Sequence, residues 1–235
     1  MACYNVAGFT VSYDPTYPTL RSRSEKYRCA DMPDAVRLCV TEEQIAAIRG
    51  STPLLTDDLR EYMLMGRAFY DYLISRGGMM LHASAVVVDG EAYLFSAPSG
   101  TGKSTHTSLW LRRFEDAYIL NDDKPALFLS DGRVYAAGTP FSGKYDISAD
   151  RSVPLRAIAF IERSDVNRIE PISDKRALYE MLNQTARPDS VELYARLLRN
   201  VSEIIGKTPI YKLCCNMENE AVTIAYETMR KGEKA

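Results

Sequence analysis

The chain has 235 residues, 46% hydrophobic and 26% charged, and its 29 Lys and Arg nearly cancel 31 Asp and Glu for a formal net charge of -2. That balance supplies no global field toward nucleic acid or an anionic membrane, and no apolar run approaches the roughly 18 to 20 residues of a membrane span. The opening MACYNVAGFTVSYD lacks the basic and apolar regions of a secretory signal, and the five cysteines (Cys3, Cys29, Cys39, Cys214, Cys215) show no metal-ligand spacing, so a cytoplasmic chain without a zinc site or disulfide framework is expected.

Residues 1–56 read as a small β-rich lead-in packed on the core. Its β-like pieces, Tyr4 to Tyr13 and Ala35 to Val40, alternate with polar, Pro-containing stretches such as DPTYPTLRSRSEKYR. Thr41 before Glu42, Glu43 and Gln44 reads as a helix N-cap and first turn. From Asp57 to Arg76 apolar residues recur at Leu59, Met63, Gly66, Tyr70 and Leu73, one face of a long amphipathic helix that Gly77-Gly78 ends. Met79 to Val88 reads as a strand, Asp89-Gly90 as a two-residue hairpin turn and Ala92 to Ser96 as the returning strand. A helix from Lys103 to Phe114, a short strand at Ala117 to Leu120 and a sharp break at NDDKP follow. Two strands, Ala126 to Ser130 and Arg133 to Ala137, then flank a second Asp-Gly turn. Pro154 to Glu162 is a buried strand, with Asn167 to Pro171 as its expected antiparallel neighbour. Helices at Lys175 to Asn183, Val191 to Ile205 and Glu218 to Lys231, and a strand near Ile210 to Cys214, complete an α/β fold whose mixed sheet carries antiparallel pairs and flanking helices.

Between the returning strand and the next helix stands SAPSGTGKST, Ser96 to Thr105. It follows the phosphate-loop pattern Gly-x4-Gly-Lys-[Ser/Thr] except that Ala97, followed by Pro98, replaces the first glycine. Ser99, Gly100, Thr101 and Gly102 let backbone N–H groups converge on phosphate oxygens. Lys103 adds a positive charge, Ser104 offers a hydroxyl to Mg2+, and the helix entered through Thr105 presents its positive end. The bland alternative is a Gly/Ser-rich turn, but strand, loop and helix come in the required order.

If the Asp89-Gly90 hairpin carries no bulge, Val88 pairs with Glu91 and His82 falls opposite Ala97, at the loop's entrance. Its readings are a hydrogen-bonded strand-end residue or a contact to phosphate or the reaction centre; His106, one turn into the helix, reads as structural. Asp122 and Asp123 arrive at the same end of the sheet, where a carboxylate can hold Mg2+ or accept a proton from an attacking hydroxyl, and the sequence does not divide these roles. GTPFSGK, Gly138 to Lys144, is either a plain turn or a loop whose Lys144 meets the γ-phosphate or an anionic substrate. Arg151, Arg156, Arg163 and Arg187 are candidates for a charge-stabilising arginine, and spacing does not choose among them.

The stretch LHASAVVVDGEAYLFSAPSGTGKST…YILNDD resembles the catalytic domain of the HPr serine kinase/phosphorylase superfamily, which shares its loop architecture with phosphoenolpyruvate carboxykinases. The common features are a histidine on the first arm of a hairpin, a phosphate loop directly after the second arm, and an Asp pair shortly beyond the loop lysine. The resemblance implies an HPr-kinase/PEP-carboxykinase-like nucleotide-binding core in residues 57–235. It also implies His82 as a catalytic-site histidine, Lys103 on the β/γ-phosphates, Ser104 on Mg2+, and one of Asp122 and Asp123 as proton acceptor. Ala97 departs from the pattern, as does the lack of a Gly-rich, Glu-bearing segment, so the chain looks like the stand-alone HPr-kinase-like proteins rather than the bifunctional enzymes. The expected activity is transfer of the γ-phosphate of ATP, with Mg2+, to a hydroxyl, seryl by preference, on a peptide, protein or small molecule. An ATP-binding module without chemistry and a carboxykinase-like enzyme are the alternatives. Neither nucleic acid nor a membrane is an expected partner, and homo-oligomerisation is left open.

Overall fold

The computed structural model describes residues 1–233, so the last two positions of the expected 57–235 segment lie outside the described residues. Strands β1 (Ala2–Val6) and β2 (Phe9–Tyr13) form a hairpin with Val6 opposite Phe9. Its turn is Ala7-Gly8, with φ of 56 and 80. Alanine rarely adopts that left-handed conformation, which is why Tyr4 to Tyr13 reads as one unbroken piece. Next come α1 (Pro18–Ser24), β3 (Arg28–Cys29), β4 (Val36–Arg37) and α2 (Glu42–Ala47), and the strands form a sheet in the order β3-β1-β2-β4.

The polar, Pro-containing stretch DPTYPTLRSRSEKYR, which gave no helix signal, forms helix α1. Pro18 sets its first turn, and the Glu61 carboxylate accepts from the Thr16 and Tyr17 amides at 2.7 and 3.0 Å, an anchor supplied from far along the chain. Thr41 caps α2 as expected, in a full capping box with Gln44.

Helix α3 (Asp57–Ser75) starts at the Thr56 cap. Its buried stripe runs through Glu61, Met65, Phe69 and Leu73, joined by Tyr70 and Ile74, whereas Leu59 and Met63 are 38% and 43% exposed. The expected face is therefore rotated. The expected face runs through apolar residues alone, while the real one buries Arg60 and Glu61 because both find partners: Arg60 on Asp57 and Thr52, Glu61 on the Thr16 and Tyr17 amides ahead of α1.

The run Met79 to Val88 is not one strand. It divides into β5 (Gly78–Met80) and β6 (Ala83–Val88), with Leu81-His82 at the break, and β7 (Glu91–Ser96) returns beside β6. Beyond these lie α4 (Lys103–Arg113), β8 (Tyr118–Asn121), β9 (Ala126–Ser130), β10 (Arg133–Ala137), β11 (Ser152–Arg163), β12 (Arg168–Pro171), α5 (Asp174–Asn183), α6 (Val191–Lys207), β13 (Ile210–Cys215) and α7 (Asn219–Lys231). The main sheet runs β5-β9-β10-β11-β7-β6-β8, with β13 beside the second half of β11 and β12 outside β13. Strands β7, β11 and β13 are parallel neighbours, and the other pairs in this sheet are antiparallel. Strand β12 thus pairs with β13, not with β11 as expected: the return through α5 and α6 places a parallel strand on the β11 edge first.

Alternation along the central strands sends side chains to two cores. Tyr93, Phe95 and Val86 pack with Trp110 of α4 and with Val222 and Met229 of α7. Ala85, Leu94 and Ile158 face the other way, into a core shared with α3, α6 and the first sheet. No helix among the described residues is long and apolar enough to cross a membrane.

Candidate functional site

The hairpin register is as the turn residues dictate: Asp89 and Gly90 have φ of 52 and 75, Val88 faces Glu91, and Ala83 faces Ser96. The ladder ends there, and the Ser96 hydroxyl donates to the His82 carbonyl at 2.9 Å, so His82 does stand at the entrance of the loop. The loop turns at Gly100 (φ 79) and Gly102 (φ 119) before α4 begins. At Gly102 a side chain would be strained by that φ and would also collide with the Met217 methyl. Ser99, Gly100, Ser104 and Thr105 are exposed, Thr101 and Gly102 half-buried. Lys103 is 8% exposed and donates from Nζ to the Ala97 carbonyl at 2.9 Å, closing the loop on itself. Burial, opposed by the nearby Asp123 carboxylate, lowers its pKa. Of the four candidate arginines, Arg163 reaches the loop, donating to the Thr101 and Gly100 carbonyls at 2.9 and 2.6 Å. Arg151 lies over the Tyr118 ring, Arg156 donates to the Gly232 carbonyl at 3.0 Å, and Arg187 is exposed.

Asn121, fully buried, organises the acidic turn. Its Oδ1 accepts from the Asp123 and Lys124 amides at 3.0 and 2.7 Å, while its Nδ2 donates to the Thr139 carbonyl at 3.0 Å. The two aspartates then point to different surroundings. Asp122 Oδ1 accepts from Ser84 Oγ at 2.6 Å, and Ser84 in turn meets Thr107 Oγ1, on the first turns of α4, at 2.8 Å. Asp123 faces His82, with Oδ1 3.5 Å from Nε2, and Lys124, with Nζ 3.4 Å away. Gly143 of the third loop packs against Asp123, where a Cβ would come within 2.9 Å of the Asp123 Cβ. Lys144, beside it, is exposed over the Tyr145 ring, and no hydrogen bond or ion pair among the described residues joins it to the Ser99–Thr105 loop.

Gln184, just past the end of α5, is the site residue that sequence reasoning missed. Its carbonyl accepts from the His82 amide at 2.7 Å, and its side-chain Oε1 lies 3.1 Å from His82 Nδ1. In the neutral ring one nitrogen donates and the other accepts, and the Gln184 amide holds the ring so that Nε2 faces Asp123. Burial, with Lys124 and Lys103 nearby, lowers the His82 pKa and favours this neutral form. Nothing local in the sequence links positions 82 and 184. A cavity of about 650 Å3 opens beside this group, lined by residues of α3, Phe141, His82, Asp123 and Lys124 among others.

His106 is structural, as its position suggested: fully buried, it accepts the Trp110 indole N–H on Nε2 at 3.1 Å. Burial depresses its pKa to about 4, so it is neutral in the fold and charges on unfolding once pH drops below its ordinary 6.5. Its contribution is therefore complete above pH 6.5 and is lost as pH falls toward 4, a difference of about 3 kcal/mol. Urea titrations of wild type and His106→Gln across that window should show the smaller pH slope in the variant.

The site thus gathers a glycine-turned loop with a buried lysine, two carboxylates and a neutral histidine at one end of a mixed α/β sheet. The chain belongs to the family described as SynChlorMet cassette protein ScmC, whose model matches residues 56–223. That is a different family name from the one the sequence resemblance suggested. No curated protein matches the chain. Among solved structures, the Hpr(Ser) kinase/phosphatase from Coxiella burnetii is similar over 63% of this chain and 95% of that one, at 13% identity and a TM-score of 0.34, an overlap too loose to carry its fold across.

Proposed function

We propose that the protein is a phosphotransferase that moves the γ-phosphoryl group of ATP to a substrate hydroxyl. The observation that carries this reading is the convergence of Lys103, Asp122, Asp123 and His82 around the Ser96–Thr105 loop. ATP would lie on the exposed Ser99, Gly100, Ser104 and Thr105 side, its phosphates at the amides of the loop and the positive end of α4. Lys103 would exchange the Ala97 carbonyl for the β/γ-phosphate oxygens.

The donor set fits a Mg2+ shared with phosphate rather than caged by protein. Among the described residues no three His, Cys, Asp or Glu cluster to hold a metal, whereas Ser104 and the Asp122 oxygen not bonded to Ser84 are the oxygen ligands such an ion takes beside phosphates and water. When bound, Mg2+ would neutralise charge developing on the phosphates. The division of the carboxylates follows from their surroundings: Asp122 toward α4 for the cation, Asp123 toward the cavity as base. His82 Nε2 and the Asp123 carboxylate, 3.5 Å apart, mark a place for a substrate hydroxyl, with Asp123 as the acceptor of its proton. As that oxygen bonds to the γ-phosphorus, the bond to the β-bridging oxygen breaks, ADP leaves, and the hydroxyl proton passes to Asp123.

Calorimetric titration with ATP and Mg2+ tests the placement of the phosphates. Lys103→Ala should weaken binding by about 10- to 100-fold, the loss of one charge-assisted contact. Unchanged affinity would remove the loop from the reading.

A further inference from the structure

The cavity beside Asp123 distinguishes kinds of hydroxyl. Its walls are Tyr62, Met63, Gly66, Tyr70, Met80 and Phe141, and its lining also includes His82, Asp123, Lys124 and Arg67. Gly66 lets the Phe141 ring lie directly on α3: a Cβ there would come within 3.1 Å of it. The hydroxyls along the walls are already engaged. Tyr70 and Thr185 share a hydrogen bond, Thr185 donates to the Met80 carbonyl at 2.7 Å, and Tyr62 accepts from Arg23 while donating to the Pro140 carbonyl. Gln184 holds His82, and Arg67 is paired with Asp71 and Asp189. Capacity for a new hydrogen bond lies at His82 Nε2, Asp123 and Lys124 and at the side-chain amides of Asn183 and Gln184 at the end of α5, not on the aromatic and methionine walls.

We propose that this cavity is the acceptor site and that it takes a single hydroxyl carried on an apolar, ring-bearing body, in preference to a polyol. A polyol would bury hydroxyls against the Tyr62, Met63, Met80 and Phe141 surface, which offers them few partners, whereas a phenyl-sized group meets aromatic and thioether surface. The proposal rests on the phosphotransfer reading for its chemistry: the one hydroxyl placed between His82 and Asp123 accepts the phosphoryl group, its proton goes to Asp123, and ADP departs. The same body is available as a seryl residue next to an aromatic side chain or as a free aryl alcohol.

Binding can be read apart from transfer. Protein labelled with 13C at the methionine methyls, with Met63 and Met80 assigned from Met63→Leu and Met80→Leu, is titrated with N-acetyl-seryl-phenylalanine amide, 2-phenylethanol and inositol. Saturable shifts of both methyls are expected with the ring-bearing alcohols, and binding at least about tenfold weaker with inositol. Shifts with the peptide alone assign the seryl source, and shifts with both probes assign the ring and hydroxyl themselves. Met63→Asp, a carboxylate on the apolar wall at a half-exposed position, should weaken the ring-bearing probes about tenfold, read at Met80. Inositol binding as tightly as the ring-bearing alcohols, no shift with either of them, or a Met63→Asp variant that binds them unchanged would each overturn the proposal. Methyl shifts without phosphate appearing on the probe in the presence of ATP and Mg2+ would leave the cavity's preference standing and sink the phosphotransfer reading instead.

Discussion

Asp123→Asn is expected to lower phosphoryl transfer by about 10^3-fold while changing ATP affinity little. The substitution keeps the shape and the two-atom fork but exchanges a proton acceptor for an amide, and removal of a positioned general base costs about 10^2 to 10^4 in rate. It also ends the contacts of this carboxylate with His82 and Lys124, which line the cavity with it. Asp122→Asn should behave differently. That side chain meets Ser84 beneath the start of α4, so its loss should weaken binding of ATP with Mg2+ as well as slow transfer. Product formation by mass spectrometry and affinity by calorimetry separate the two. Equal effects of both variants on both measurements would contradict the division of roles.

Trp110→Ala should cost about 3 to 5 kcal/mol of stability, the range for truncating a large buried ring. Trp110 is fully buried between the sheet and α7, with ring centroids of Tyr93, Phe95, Phe114 and Tyr226 all within 6 Å: 5.0, 5.3, 5.6 and 5.8 Å. Its indole N–H is also the hydrogen-bond partner of His106, whose Nδ1 is already buried without one among the described residues. Truncation therefore leaves both a cavity and a histidine with no partner on either nitrogen. Because α4 begins at Lys103, the loop rides on this packing, and ATP binding should fall in the same variant only as the folded fraction falls. Urea unfolding measures the first effect, provided the slope is unchanged between variants. Trp110→Phe, which keeps most of the ring, should cost clearly less.

Much of the site was legible because it is written in short-range chemistry. Asp89-Gly90 sets a two-residue turn, the turn sets the register, and the register delivers His82 to the loop's entrance without reference to the rest of the molecule. The strand, loop and helix around Lys103 follow from adjacent residues, as does the α2 cap at Thr41. Where the local signal was ordinary the reading failed. Ala7-Gly8 conceals a hairpin because alanine seldom takes its left-handed φ, and α1 gives no helix signal because Glu61 of α3 supplies its anchor.

By itself, then, the sequence determined the hairpin, the loop and the arrival of two aspartates beside it, since each depends on turn geometry or on spacing over a few residues. Only the tertiary structure decided what surrounds them. It rotated α3 so that Met63 and Gly66 line a cavity, split β5 from β6 at His82 and brought Gln184 onto that histidine. It also turned Asp122 toward α4 and Asp123 toward open space. Those outcomes depend on which distant surfaces pack together, and packing is decided by the whole core rather than by any stretch of it.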